Sequence, residues 1–70
     1  MTVNEAAARL GIEVVGVGLL RLPEKTSDGQ LAAIGRQVAD LIGAEDVVLR
    51  PHYDGKGSFW GYEPHSFWRD

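Results

Sequence analysis

One segment of this chain has a strong helix pattern, and any fold must cover its apolar side. Over residues 28–42, apolar side chains recur at steps of three and four, as on one face of an α-helix: Leu31, Ile34, Val38, Leu41 and Ile42. Ser27 and Gln30 fit a capping box, and Gly43 fits a left-handed stop. The sequence therefore predicts an amphipathic helix over 28–42 packed on a sheet, with a close approach at Gly35.

A shorter helix is predicted at the start of the chain. Thr2 and Glu5 fit a second capping box, and apolar residues follow at helical spacing: Val3, Ala6, Ala7 and Leu10. Gly11 stands where a C-terminal cap would be. We predict a helix over residues 3–10, which is too short to be stable without packing on other elements.

Residues 12–22 carry the pattern of a strand. The segment is rich in β-branched residues, and Gly16 and Gly18 would each cost about 1 kcal/mol inside a helix. In a strand, the two glycines fall on the same face and allow close packing. Pro23 follows directly. We therefore predict one strand over 12–22, covered on both faces.

The remaining strands are predicted to form a hairpin. Residues 47–53 and 57–62 read as strands joined by Asp54-Gly55, with Gly55 at positive φ. A two-residue turn then places Arg50 opposite Phe59, together with the pairs Tyr53–Lys56, Leu49–Trp60 and Val47–Tyr62, and a bulge at Gly57 would shift this register by one. The Glu63-Pro64 pair is expected to end the last strand and to leave an aromatic tail over 65–70.

These elements define the expected fold class. Seventy residues without cysteine allow one small core and no disulfide, so we expect a single domain over 1–70. The class is α+β (α/β), in the order α-β-α-β-β, with a three-stranded mixed or antiparallel sheet packed on one amphipathic helix. A strand–helix–strand crossover should be right-handed if its two strands are parallel. The first helix, the tail or a second chain is expected to cover the other sheet face.

Composition excludes several function classes. No apolar run reaches the length of a transmembrane helix, and without cysteine there is no cysteine-ligated zinc site. The net charge of −3 disfavours nucleic acid as a partner. The first ten residues lack the pattern of a secretory signal, so we expect a cytoplasmic location and no membrane partner.

The aromatic residues are confined to one end of the chain. All six lie between positions 53 and 68, and the earlier residues are aliphatic or polar. Phe67 and Trp68 are costly to leave in water, so we expect them to dock on the sheet of their own chain or on another molecule. The candidate partner-binding residues are Arg50, His52, Tyr53, Asp54, Trp60, Phe67 and Trp68.

Two histidines with nearby carboxylates offer an alternative. The sequence His-x-Asp at 52–54 and Glu-x-His at 63–65 places each pair on one side of a strand. Such residues are ligands for a mixed nitrogen and oxygen metal site. The weak metal candidates are His52, Asp54, Glu63 and His65, and the alternative function is a small metal- or histidine-dependent enzyme at His52 and His65.

The start of the chain resembles a DNA-binding family. Residues 2–12, TVNEAAARLGI, are similar to the first helix and turn of helix-turn-helix proteins of the excisionase and MerR-like kind. The resemblance implies a DNA-binding regulator that uses this first helix. It covers 11 of the 70 residues, and where that family has a polar recognition helix this chain has Glu13-Val14-Val15-Gly16-Val17-Gly18.

From these observations we expect a non-enzymatic protein-binding module that uses its aromatic C-terminal surface. Small regulators, inhibitors and assembly subunits, phage-related ones among them, fit this description. The expected partner is another protein or a second copy of the chain, and we expect neither a catalytic residue nor a cofactor.

Overall fold

Over residues 1–69, which the computed structural model describes, the chain forms two helices and four strands. They are α1 (Val3–Arg9), β1 (Val14–Val15), β2 (Leu19–Leu20), α2 (Asp28–Ile42), β3 (Asp46–Tyr53) and β4 (Phe59–Phe67). The strands form one sheet in the order β1-β2-β4-β3, antiparallel at every pairing. The α+β class is confirmed, with four strands in place of the expected three.

The long helix forms where its pattern predicts. The side chain of Ser27 accepts from the Gln30 amide at 3.2 Å, and Gly43 ends α2 in the left-handed conformation at φ 80°. The close approach at Gly35 is also confirmed, because a Cβ added there would collide with the carbonyl oxygen of Val47. The short helix α1 has the predicted capping box at Thr2 and ends one residue earlier than expected.

The single strand predicted over residues 12–22 is wrong. The chain reverses at Gly16 and Gly18, whose φ angles are 59° and 120°. Two residues that tolerate positive φ, separated by Val17, make a turn rather than a smooth extended segment. The result is a short β1–β2 hairpin with Val17 fully exposed at its tip. This hairpin also replaces the second helix that the helix-turn-helix resemblance implies.

The β3–β4 turn differs from the predicted two-residue turn. The carboxylate of Asp54 accepts from the amides of Lys56 and Ser58 at 2.8 and 2.9 Å, which rounds the turn over more residues. Positive φ falls at Gly57, at 82°, so its assignment to Gly55 is wrong.

This longer turn also changes the strand register. Arg50 lies opposite Glu63 rather than Phe59, and the other observed pairs are Tyr53↔Phe59, Leu49↔Pro64 and Val47↔Ser66. Between Phe59, opposite Tyr53, and Gly61, opposite His52, the extra residue Trp60 forms a bulge.

The predicted end of the last strand at Glu63-Pro64 is also wrong, because β4 continues to Phe67. Pro64 lies opposite Leu49, and β2 pairs with β4 at Tyr62, before Pro64 is reached. No neighbouring strand therefore needs the amide hydrogen that proline lacks. Residues 65–67 of the expected tail are paired strand, and Asp70 lies outside the described residues.

One apolar core lies between the helices and a single face of the sheet. Its buried members are Ala6, Ala7, Leu20, Val38, Ala39, Val47, Leu49 and Tyr62. Both helices contribute to it, so α1 packs beside α2 instead of covering the second sheet face as expected. The Tyr62 hydroxyl donates to the carbonyl oxygen of Glu24 at 2.7 Å and fixes the loop before α2. The opposite face of the sheet is left without a helix.

The helix α2 joins β2 to β3. Strand β4 lies between these two strands and is antiparallel to both, so β2 and β3 run parallel to each other without being paired. Within residues 1–69, neither helix has the length and apolar character needed to cross a membrane.

Candidate binding surface

The surface of interest is the helix-free side of the sheet, here named the open face. On β3, Val47 and Leu49 point into the core, so the residues between and after them point the other way. The same alternation applies to β4 on either side of Tyr62. The open face consists of Val15, Leu19, Val48, Arg50, His52, Trp60, Glu63, His65 and Phe67.

Two large aromatic side chains stand out from the open face. Trp60 is 55% exposed and Phe67 is 49% exposed. The bulge in β4 places Trp60 beside Gly61, on the side away from the core. The ring of His52 lies next to the indole, with 6.3 Å between ring centroids and 59° between planes. The tryptophan is therefore held in place while much of its surface remains in solvent.

Asp54 belongs to the turn and fixes the orientation of Trp60. Its Oδ1 accepts from the turn amides, and its Oδ2 accepts from the indole Nε1 at 3.1 Å. The amides of Ser58 and Lys56, followed by smaller contributions that include the Trp60 bond, lower the pKa of this carboxyl. Asp54 therefore contributes to the open face as a positioning residue.

A carboxylate between two histidines occupies the middle of the open face. Glu63 Oε1 lies 3.1 Å from Nε2 of His65, and its Oε2 lies 3.5 Å from Nδ1 of His52. All three side chains are half-buried. Arg50 is the cross-strand partner of Glu63 and is exposed. The centre of the open face thus contains a guanidinium, a carboxylate and two imidazoles, and apolar residues surround them.

The histidines do not converge on a common point. Each lies near a different oxygen of the Glu63 carboxylate, while Asp54 is engaged in the turn. Among residues 1–69, no group of three or more histidines and carboxylates is placed to share a metal ion. The geometry therefore brings three of the four weak metal candidates together in a row along the open face.

Two of the expected binding residues lie elsewhere. Tyr53 is on the helix side of the sheet, edge-on to Phe59 at 5.6 Å, and its hydroxyl donates to Oε2 of Glu24 at 3.4 Å. Desolvation and the Glu24 charge raise the pKa of Tyr53. Trp68 follows the last ladder pair and is 59% exposed. Of the two alternatives for Phe67 and Trp68, docking on the sheet of their own chain is not observed for their side chains, although the backbone at Phe67 is paired with β3.

The outer edge of the sheet at β3 is closed to strand pairing. The amide of Val47 donates to Asp46 Oδ1 at 2.8 Å, its carbonyl is covered by Gly35, and Pro51 has no amide hydrogen. A groove of about 550 Å³ runs between this edge and α2, with Leu31, Ala32 and Arg36 on its helix side. At the other edge, β1 has two residues. Short and capped edges resist the addition of a further strand.

A hollow opens beside Trp60. It measures about 480 Å³, and its lining includes Val15, Arg21, Pro23, Phe59 and Trp60. This hollow borders the open face and could take the side chain of a partner next to Trp60.

Sequence analysis assigns Glu63 and His65 to a metal site, and His65 also to an alternative enzyme site, but neither to the protein-binding surface. Their i, i+2 spacing places both on one face of a strand, whereas the expected strand end at Glu63-Pro64 leaves His65 outside the sheet.

No protein-family model, curated protein or solved structure matches this chain.

Proposed function

We propose that this chain is a non-enzymatic protein-binding module whose binding surface is the open face. The observation that carries the proposal is the exposure of Trp60 and Phe67, at 55% and 49%, on a sheet face that neither helix covers. A large aromatic side chain carries about 150–250 Å² of surface. Two such side chains left half exposed therefore lack several kcal/mol of the favourable free energy that full burial would contribute.

The composition of the open face suits a protein partner. Binding hot spots are enriched in tryptophan and arginine, and Trp60 and Arg50 both point outward here. Polar groups such as Glu63, His52 and His65 can fix the orientation of the partner. A rim ion pair joins Arg21 to Glu13 at 3.7 Å, near the hollow beside Trp60.

The total exposed area supports the same proposal. The chain exposes 4821 Å², whereas a folded monomer of this mass is expected to expose about 4,300 Å². The chain therefore exposes about 500 Å² more than is expected for its mass, which leaves surface for a partner to cover.

The test compares the wild-type chain with the double variant Trp60→Ser/Phe67→Ser in affinity purification from the native cell. Ala32→Ser is the control, because it changes an exposed residue of α2, on the side of the molecule away from the open face. We expect one stoichiometric protein to be retained by wild type and control and lost from the double variant, with folding of all three checked by thermal melting. Equal retention by all three folded proteins would contradict the proposal.

A further inference from the structure

We propose that the partner on the open face is a second copy of this chain, packed about a two-fold axis so that Arg50 of each copy contacts Glu63 of the other. This inference rests on the proposed function and specifies the partner. It follows from the charges at the centre of the face, the closed sheet edges and the area available.

The charges at the centre of the open face are unevenly satisfied within one chain. Glu63 has a histidine nitrogen near each of its oxygens, that of His52 at 3.5 Å and that of His65 at 3.1 Å. Arg50 lies opposite it in the ladder, yet among residues 1–69 no carboxylate oxygen lies within 4.0 Å of its guanidinium. If the face is buried, this guanidinium requires an acceptor from the partner, because an unpaired buried charge is very costly.

A second copy supplies that acceptor. The carboxylate of Glu63 can accept further hydrogen bonds, because a carboxylate has about four lone-pair sites. In a two-fold interface each contact occurs twice, so one Arg50–Glu63 contact implies its symmetric mate. The pair lies near the middle of the β3–β4 ladder, which extends from Asp46↔Phe67 to Tyr53↔Phe59. A two-fold axis through the centre of the open face is therefore compatible with both contacts.

The size of the chain permits a dimer interface of ordinary area. The two longest extents of the chain are 37 and 22 Å, so the outline of any one face is limited to about 800 Å². A standard protein interface buries about 800 Å² on each partner. Face-to-face packing of two sheets is also a common arrangement, with side chains of both inner faces interdigitating. Apolar side chains around the charged centre, at Val15, Leu19, Val48, Trp60 and Phe67, would supply this contact.

The alternative route to a dimer, pairing through strand edges, is disfavoured. The Val47 amide is capped by Asp46, its carbonyl is covered by Gly35, and Pro51 interrupts the donors further along β3. Two copies that associate are thus directed to the open face.

Sedimentation equilibrium with charge reversals tests the inference. We expect the wild-type chain to have the mass of two copies in the micromolar range. Arg50→Glu and Glu63→Arg, measured separately, should each weaken association about 30-fold or more, because each variant places like charges in contact across the interface. An equimolar mixture of the two variants should recover the two-copy mass. One variant has glutamate at both positions 50 and 63 and the other has arginine at both, so opposite charges meet across the interface of the mixed dimer.

The mixture separates an interface effect from a folding effect. Within either variant the Arg50–Glu63 cross-strand pair still carries like charges, so mixing relieves nothing inside a chain. If a reversal fails to fold by circular dichroism, Arg50→Gln and Glu63→Gln replace the pair. Their mixture restores one of the two ion pairs and should associate more tightly than either variant alone.

A wild-type chain that stays monomeric up to submillimolar concentration would overturn the inference, and so would folded variants that do not associate on mixing. Neither result removes the proposed function. That proposal fails separately if the Trp60→Ser/Phe67→Ser variant retains the same proteins as wild type.

Discussion

The indole of Trp60 donates its hydrogen to the carboxylate of Asp54, with 3.1 Å between Nε1 and Oδ2. The same carboxylate accepts two amides of the β3–β4 turn. One side chain therefore fixes both the shape of the turn and the orientation of the exposed tryptophan on the open face. An ordered aromatic anchor loses less conformational freedom on binding than a mobile one.

The first prediction concerns the pH dependence of this turn. Because hydrogen bonds lower the pKa of Asp54 from its ordinary value of 3.8, the ionised form stabilises the fold above that pH. The contribution is lost as pH falls below 3.8 through the lowered pKa of the folded state. Asp54→Asn should reduce this acid sensitivity, measured as the difference in melting temperature between variant and wild type from neutral to strongly acidic pH. A constant difference across that range would contradict this role of the carboxylate.

The second prediction distinguishes the two glycines of the turn. Gly57 has a φ of 82°, where a side chain is strained, so Gly57→Ala should destabilise the protein by about 1 kcal/mol. Gly55 is outside that region and has no atom within 4 Å of an added Cβ. Gly55→Ala should therefore be neutral or stabilise by up to about 1 kcal/mol. Urea unfolding measures the free energy of unfolding of both variants. A Gly57→Ala variant more stable than Gly55→Ala would contradict this conformation of the turn.

The third prediction concerns the contact between α2 and β3. Gly35→Ala would gain about 1 kcal/mol in helix propensity, but its Cβ would collide with the Val47 carbonyl. Because the colliding atom is backbone, we expect net destabilisation, with an overpacking cost of about 1–3 kcal/mol opposed by the propensity gain. Gly29→Ala lies in the same helix with nothing within 4 Å and is the control. Chemical unfolding should show a lower free energy of unfolding for Gly35→Ala and no decrease for Gly29→Ala. Equal free energies of unfolding for the two variants would contradict the close approach of α2 to β3.

The fourth prediction separates the two roles of the C-terminal segment. Deleting residues 66–70 removes the pairs Val47↔Ser66 and Asp46↔Phe67 and the 2.9 Å bond from the Glu45 amide to Phe67. Stability should fall by about 1–3 kcal/mol, since a backbone hydrogen bond contributes roughly 0.5–1.5 kcal/mol. Phe67→Ser keeps the backbone pairing, so it should alter thermal melting much less while weakening association. If the deletion melted like the wild type, β4 would not extend through Pro64.

The elements that the sequence predicts well are those specified by local signals. α2 has a regular apolar stripe, a capping box and a glycine stop, and all three act within a few residues. The β1–β2 hairpin was missed because Gly16 and Gly18 fit a strand face as well as a turn. Only the pairing of Val14 with Leu20 distinguishes these two arrangements, and it is not a local property.

The candidate site was predicted in part for the same reason. Trp60, Phe67, Arg50 and His52 were identified from residue type and position in the aromatic segment. The role of Glu63 depends on its register opposite Arg50. The bulge at Trp60 sets this register, and β4 can continue through Pro64 because the short strand β2 pairs with β4 only at Tyr62. These are properties of the assembled sheet rather than of a sequence window.

Site-specific photo-crosslinking in the native cell tests the proposed binding surface most directly. The photoreactive residue benzoylphenylalanine replaces Phe67 on the open face in one variant and exposed Gln37 on α2 in a control. Irradiation should attach a protein to position 67 and none to position 37, and the mass of the product distinguishes a second copy from another protein. Equal crosslinking from both positions, or crosslinking from position 37 alone, would contradict the assignment of the open face as the binding surface.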